Sequence, residues 1–422
     1  MCLDSRLLRV AICMAGSLVV SSAVLAQNTA MPYSILGIGN IDQFDFGRYA
    51  TSGSAAAGRR DEMAYNGGNP AAISAMSFKN VFFDMSMRGR VSSYLLPRQT
   101  LRTTGSKDFV INRVLLAFKS GKRSGFAFGL QPYSSVSYQL TDTMLVTDGE
   151  GKYQRLIDGN GGISQVFGRF GMQHGKHFAW GVEAAWMFGS IQQDTYYTLS
   201  SVVLDLSRQQ RDYYNGVQAT AGIQYFSKAG NVWQHTIGLT ATYNTDLTGY
   251  RSLEYLDGET AIAKAVDNSR RFSMPLGGKF GYSASSQSGI TLSAEFGINQ
   301  WDRQKLAYSN SYTQSTTSGG IGIEYRKLRN RKVPASEKYF IGAGLHYEQS
   351  YISIRNTDYI NYAASVGGGI HLSPNLTVNG TITAGTRGKV SDGLINEQYT
   401  QFNIGFTVKD FWMNAGKFGR FN

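Results

Sequence analysis

From about residue 79 to its C-terminal region the chain alternates apolar and polar residues with period two, segment after segment. That pattern belongs to strands whose two faces meet different surroundings. In GITLSAEFGIN (289–299), Ile290, Leu292, Ala294, Phe296 and Ile298 share one face, while Thr291, Ser293, Glu295, Gly297 and Asn299 share the other. NLTVNGTITAG (375–385) repeats it, and HFAWGVEAAWMFG (177–189) puts Phe178, Trp180, Val182, Ala184, Trp186 and Phe188 on a single face. A soluble sandwich would also alternate, but in strands of about five or six residues; these segments are about twice that length. Their apolar faces carry aromatics near strand ends (Trp180, Trp186, Tyr282, Tyr347), as the girdles of a barrel at a lipid–water boundary do. In a bilayer every backbone polar group needs a partner within the protein, so such a sheet must close. The pattern predicts an all-β fold, a transmembrane antiparallel β-barrel with its apolar face outward.

The count is about fourteen strands, placed near 79–95, 106–119, 123–140, 161–173, 177–192, 211–227, 232–249, 270–284, 288–302, 312–328, 337–352, 358–372, 375–388 and 397–411. An even number suits a single-chain bacterial barrel. Short connections such as SGKRS, HGK, SSQSG and LSPN alternate with long polar ones such as TDTMLVTDGEGKYQRLIDGN and EYLDGETAIAKAVDNSR, matching short periplasmic turns and longer external loops. One turn, RKLRNRKVPASEK, is long and basic where a short one is expected. The last strand, QFNIGFTVKDFW, sets Phe402, Ile404, Phe406 and Val408 outward and ends in Phe411 and Trp412. The barrel is therefore expected over 79–412, with 413–422, including Phe421, as a short periplasmic tail.

The first 26 residues have the three parts of a secretory signal: Arg6 and Arg9, an apolar run from Val10 to Val24, and VLA ahead of Gln27. Cleavage is expected after Ala26. Both cysteines, Cys2 and Cys13, lie in that segment, so the mature chain is expected to lack disulfides, thiolate chemistry and cysteine metal sites. A large exported chain of this kind fits the outer membrane of a Gram-negative bacterium. After residue 26 no long unbroken apolar stretch appears, which argues against helical spans. The formal charge of +12 could point to nucleic acid, but no basic cluster falls on a binding motif. Turns that face lipid phosphates account for it, and no nucleic-acid partner is expected.

An enzyme finds little support. Of five histidines, His174 and His177 share the turn QHGKH without a neighbouring carboxylate, which reads as a solvated turn rather than a metal site. No G-x-S-x-G, H-E-x-x-H, Walker or Rossmann pattern occurs. Neither catalytic residues, nor a cofactor, nor a metal is expected.

The inward faces are rich in Gly, Ser, Thr and Asn, with scattered charges: Glu183, Lys279, Glu295, Glu324 and Glu348, joined by His346. Glu183, Glu295, Glu324, His346 and Glu348 are expected to form a polar network in the lumen. Small side chains do not fill a fourteen-strand lumen. The leader from Gln27 to about residue 78, with SILGIGN, TSGSAAAGRR and NGGNPAAI, lacks sustained alternation and is the segment available to fill it. It reads as an N-terminal plug; a periplasmic extension is the other reading.

A signal peptide, the PYS…GIG start (Pro32 to Gly39), NGGNPAAI ahead of strand one and about fourteen strands resemble the FadL-type family, outer-membrane transporters of long-chain fatty acids and other hydrophobic compounds. The start and the FTVKDFW ending are most similar to Bacteroidota members. The resemblance implies a hatch inside the barrel, with the NPA element (Asn69, Pro70, Ala71) at its junction with strand one. Asn66, Gly67, Gly68, Asn69 and Pro70 then read as the plug–barrel hinge, the glycines allowing a reversal and Pro70 fixing its direction. It also implies a third strand kinked inward so that substrate leaves sideways. Here Gln131, Pro132 and Tyr133 occupy that place, since proline cannot donate to a ladder; an ordinary bulge is the other reading, as Pro275 in the eighth strand illustrates. The implied function is passive uptake of hydrophobic small molecules with lateral exit into outer-membrane lipid, captured by loop patches at Tyr94–Pro97, Tyr196–Leu204 and Leu253–Leu256. The alternative is a non-transporting scaffold subunit of a larger outer-membrane secretion or assembly complex, with periplasmic or outer-membrane protein partners docking at the basic turn (Arg326 to Lys338) and the tail.

Overall fold

The computed structural model describes residues 32–41, 47–77, 80–97, 101–145, 152–199, 202–227, 232–306, 310–328, 337–373 and 375–411. The signal segment with its cleavage after Ala26, the centre of the basic turn, and the tail with Trp412 and Phe421 lie outside these residues. β1 (Asn40–Ile41) belongs to the leader. The wall opens with β2 (Asn80–Leu95), β3 (Thr103–Lys119), β4 (Ser124–Leu145), β5 (Lys152–His174), β6 (Phe178–Leu199) and β7 (Val202–Phe226). It continues with β8 (Trp233–Asn244), β9 (Leu247–Asp257), β10 (Thr260–Phe272), β11 (Leu276–Ser286), β12 (Ile290–Gln300), β13 (Ser311–Thr313) and β14 (Thr316–Leu328). β15 (Glu337–Ile354), β16 (Thr357–Ser373), β17 (Leu376–Arg387) and β18 (Asn396–Phe411) complete the circuit. Neighbours pair antiparallel, and β18 pairs with β2 from Asn396↔Leu95 to Phe411↔Asn80, which closes the sheet. The pairs β8–β9, β10–β11 and β13–β14 are each one interrupted stave, so the wall is a closed fourteen-strand barrel.

The alternation reads out as predicted. In β17, Thr377, Asn379, Thr381 and Thr383 are buried while Ile382 is 49 % exposed. In β12, Leu292, Phe296 and Ile298 face outward while Thr291 and Ser293 are buried. Along β18, Phe402, Ile404, Phe406 and Val408 look out and Gln401, Asn403 and Thr407 look in. A belt of bare apolar side chains around a closed hydrogen-bonded wall is the form that a lipid interior permits: an unsatisfied N–H or C=O there costs several kcal/mol, and closure leaves few of them.

Several expected boundaries need correction. Strand 232–249 is broken at 245–246 and resumes as β9 to Asp257, and strand 270–284 is broken at 273–275, around Pro275, after starting at Thr260. Strand 312–328 is interrupted at 314–315. The expected loop EYLDGETAIAKAVDNSR is mostly a hairpin, with Thr260↔Asp257 at its tip. Likewise, TDTMLVTDGEGKYQRLIDGN carries the ends of β4 and β5. The reason is physical: Thr260–Ser269 are exposed on both faces, so nothing selects apolar residues on one side and the period-two signal vanishes.

The described leader residues lie on the inward faces of the wall. Thr51, Ser52, Ala57, Asn69, Ala71 and Ile73 are 2 % exposed or less. Glycines on the wall strands let its backbone lie close: a Cβ at Gly238 would stand 2.0 Å from the Ala57 carbonyl oxygen, and one at Gly344 would stand 2.1 Å from the Gly53 nitrogen. The inward glycines thus form a bed for the leader's main chain.

Candidate functional site

The leader is fastened to the wall by buried ion pairs. On the 3-10 turn Gly47–Ser52, Arg48 donates from Nε to Glu324 Oε1 and Oε2 at 3.2 and 3.1 Å. Its Nη1 reaches Glu337 Oε2 at 3.0 Å. Arg59 Nη2 joins Glu324 Oε1 at 3.0 Å and Asp61 Oδ2 at 3.2 Å, and Tyr49 donates to Asp61 at 2.8 Å. On β12, Glu295 accepts from the backbone nitrogens of Ala56 and Ala57 at 2.9 and 2.7 Å, and Lys279 of β11 pairs with its other oxygen at 3.1 Å. Arg169 of β5 pairs with Glu183 of β6 and donates to the Asn66 carbonyl at 2.8 Å and the Gly67 carbonyl at 3.0 Å. His346 Nδ1 lies 3.4 Å from the Gly53 carbonyl, and Glu348 accepts from Asn361 at 3.5 Å.

The five expected lumen residues face inward, and the bonds given above run from them to the leader, to a wall cation or to a neighbouring strand. Glu183, Glu295, Glu324 and His346 each meet the leader, directly or through a wall arginine, and Glu348 contacts a neighbouring strand. Their leader and wall counterparts Arg48, Arg59, Asp61, Arg169 and Glu337 were not anticipated. The run Arg59-Arg60-Asp61-Glu62 inside a stretch of small residues was the available signal. For Asp61, burial alone would raise the carboxyl pKa, but Arg59, Arg48 and Arg326 together hold it well below the usual carboxylate range. Asp61 lies outside the spanning strands.

The element Asn66–Pro70 is clamped. Asn66 Nδ2 donates to the Ala56 and Arg59 carbonyls, each at 2.8 Å, while its Oδ1 accepts from the Gly68 nitrogen at 2.7 Å. Asn69 Nδ2 reaches Ala57, Ile223 and Leu239 carbonyls at 3.2, 3.1 and 3.3 Å, tying leader to β7 and β8. Asn69 Oδ1 caps the 3-10 turn Pro70–Ala75 by accepting from Ala71, with Pro70 at the first position, where its missing N–H costs nothing. Gly67 and Gly68 do not adopt left-handed backbone; among the described leader residues a positive φ falls at Gly37, Gly39, Gly47, Gly53 and Ser54. What Gly68 supplies is room, since a Cβ there would stand 2.6 Å from Ala56 Cβ.

At Gln131–Tyr133 the wall changes. Among the described residues, β3 and β4 pair from Lys119↔Gly125 to Val114↔Leu130. Pro132 lies two residues on, after Gln131, and the β4–β5 register shifts between Pro132 and Ser134. Beyond it β4 pairs with the leader instead, Ser134 and Ser135 with Ile41 and Asn40. Ser134 Oγ donates to the Ile38 carbonyl at 2.7 Å, and Ser34 Oγ donates to the Ser137 carbonyl at 3.0 Å. Gln131, Pro132 and Tyr133 line one cavity of about 210 Å³ together with Gly67 and Gly68. Its other walls are mainly polar: Gln165, Gln218, Asn244, Lys279, Asn299 and Arg113. Farther from the short turns the lumen is apolar but filled. Leader residues Leu36, Ile38 and Ile41 pack with Ile163, Met187, Leu247 and Ile352. Trp301 stacks on Tyr351 at 4.8 Å, and Tyr351 donates to the Gly39 carbonyl at 2.7 Å. Of the three expected capture patches, Tyr94 is buried, Tyr196 is exposed, and Leu253–Leu256 lies within β9.

Comparison with solved structures shows the same fold at low identity. The Ralstonia pickettii toluene transporter TbuX superposes with a TM-score of 0.55 at 14 % identity, over 87 % of this chain and 98 % of that one. The Pseudomonas putida toluene transporter TodX gives 0.56 at 13 %, over 89 % and 100 %. A Pseudomonas aeruginosa FadL homologue gives 0.54 at 11 %, over 91 % and 100 %. The FadL-type resemblance thus holds for the architecture, a closed fourteen-strand barrel. A search of curated proteins gives no match. The family profile that matches the sequence is a different one, BamG, and it spans residues 8–419. On that match the chain belongs to the BamG family.

Proposed function

We propose that this protein is a plugged, non-transporting barrel that serves as a scaffold subunit of a larger outer-membrane secretion or assembly complex. The observation that carries the reading is the filled lumen. A site for a hydrophobic small molecule is typically a mainly apolar pocket of roughly 300–1,000 Å³. Here the apolar half of the lumen is packed with the leader's own Leu36, Ile38 and Ile41, and the cavity beside Pro132 is smaller and polar. The plug is held by several buried ion pairs, and breaking one such pair costs about 3–5 kcal/mol. A conduit needs a plug that yields; a scaffold needs one that stays.

A second reading, passive uptake of hydrophobic compounds with lateral exit near Pro132, is favoured by the end of the β3–β4 ladder at Leu130 and by the shared architecture with TbuX and TodX. Purification of the native protein from outer membranes, with protein and lipid analysis of the eluate, separates the two. Stoichiometric protein partners and no bound hydrophobe are expected. A bound fatty acid-like molecule without stable partners would overturn the scaffold reading.

A further inference from the structure

A group of cations apart from the leader's ion pairs lies at the end of the short turns, the periplasmic end of an outer-membrane barrel. Arg60, on the leader, donates to Gln224 Oε1 at 2.9 Å, Ser74 Oγ at 3.2 Å and Gln173 Oε1 at 3.4 Å. Its guanidinium stands 4.0 Å from the centre of the Phe226 ring. Lys119, at the end of β3, donates to the Ser74 carbonyl at 2.7 Å. Each of these acceptors is neutral. Burial pulls the Arg60 guanidinium down to about 10, and among the described residues no carboxylate offsets it. The charge continues outward through Gln173. Its backbone nitrogen donates to the Arg123 carbonyl at 2.7 Å, and its Nε2 donates to the Gly175 carbonyl at 3.2 Å. These bonds set the turns that carry Lys122, Arg123 and Lys176 beside Arg60, and all three turn cations are exposed. Glu62, which acts on Lys119, is the exposed carboxylate next to them.

Lipid phosphates do not account for the inner part of this patch. Arg60 and Lys119 both reach Ser74 of the leader, inside the wall, whereas headgroups lie outside it. A patch of one sign with few internal counter-ions draws opposite charge from solution. Across an interface such complementarity sets partner choice and register.

We infer that this patch is the docking surface for an acidic segment of a periplasmic partner protein. The partner's carboxylates meet Lys122, Arg123 and Lys176 at the rim and Arg60 at the mouth. The inference rests on the scaffold reading and adds to it the place and the charge of one partner.

Zero-length carbodiimide coupling in native outer membranes tests it, because the reagent joins a lysine amine only to a carboxylate in direct contact. Lys122 and Lys176 should each yield an amide to Asp or Glu within one acidic stretch of a single periplasmic polypeptide, mapped by mass spectrometry. Lys264, exposed on the external hairpin, is the control and should not join that stretch. Lys122→Glu, Arg123→Glu and Lys176→Glu together should cut recovery of that polypeptide roughly tenfold, the combined loss of several exposed ion pairs. Lys122→Arg with Lys176→Arg should retain the polypeptide and lose the adduct. Heat-modifiable gel migration reports folding. Should the triple variant not fold, about 1 M salt on the wild type, where the screening length falls to about 3 Å, should release the same polypeptide. Partners that resist both charge reversal and salt, or adducts confined to this chain, would overturn the docking surface and leave the scaffold reading standing. Loss of anionic phospholipid with the partner retained would assign the cations to lipid and overturn it too. No co-purifying partner in the wild type would overturn both.

Discussion

Arg48 of the leader and Glu324 of β14 form a buried bidentate pair, Nε to both carboxylate oxygens at 3.2 and 3.1 Å and Nη2 to Oε1 at 2.5 Å. Glu324 also accepts from Arg59, so one wall carboxylate holds two leader cations. Removing one member of a buried pair leaves the other charge desolvated and uncompensated, at about 3–5 kcal/mol. Glu324→Ala should therefore loosen residues 47–61 while the barrel, closed by its own ladders, stays folded. Amide exchange across 47–61 should accelerate by roughly two to four orders of magnitude, taking the pair's cost as the change in opening free energy. Unchanged exchange there would show that the pair does not fasten the leader.

The glycine bed makes a second prediction that involves no charge. A Cβ at Gly238 would stand 2.0 Å from the Ala57 carbonyl oxygen, whereas one at Gly278 would meet nothing nearer than 3.6 Å. Gly238→Ala should displace the leader, because the obstacle is main chain and cannot rotate away, and leader exchange should rise. Gly278→Ala, on the neighbouring stave, should leave leader exchange within the wild-type range. Equal behaviour of the two variants would mean that inward glycines are not what admits the leader.

These two cases show what the sequence could disclose. The wall was legible because lipid outside and a polar lumen inside impose opposite chemistries on successive residues; Phe296 beside Gly297 needs no structure to be understood. The upper hairpin of β9 and β10 was not, since Thr260–Ser269 meet water on both faces. Inward placement of Glu183, Glu295 and Glu324 followed from strand parity alone. Their partners did not, because the leader has no periodicity to fix which way Arg48 or Asp61 points. Gly68 illustrates the same limit: a glycine needed for close approach to Ala56 looks identical, in sequence, to one needed for a turn.

The inward course of β4 has two causes, and they can be separated. Pro132 has no N–H for a ladder, but Ser134 and Ser135 are also held by the leader through β1 and the Ser134–Ile38 bond. Pro132→Ala alone should leave β3 amides 103–112 exchanging as in the wild type. The same substitution combined with removal of residues 32–41 should let β4 continue beside β3 and slow exchange in 103–112. Slowed exchange in the single variant would assign the opening to proline alone.

Asp61 gives the leader's attachment a defined acid limit. Burial alone would raise its pKa, but Arg59, Arg48 and Arg326, with the Tyr49 hydroxyl, hold it well below the ordinary value. A carboxylate with a depressed folded-state pKa contributes stability that is complete above its unfolded value, about 3.9. That contribution is lost as pH falls from there toward the folded value. Exchange protection of residues 47–61, corrected for the intrinsic pH dependence of amide exchange, should hence be flat from about pH 8 to pH 5 and decline below about pH 4. Asp61→Asn, which keeps the shape but not the charge, should lower protection already at neutral pH and weaken the acid-dependent decline. A decline centred near pH 6 would instead assign the attachment to a histidine, and Asp61 would not be its determinant.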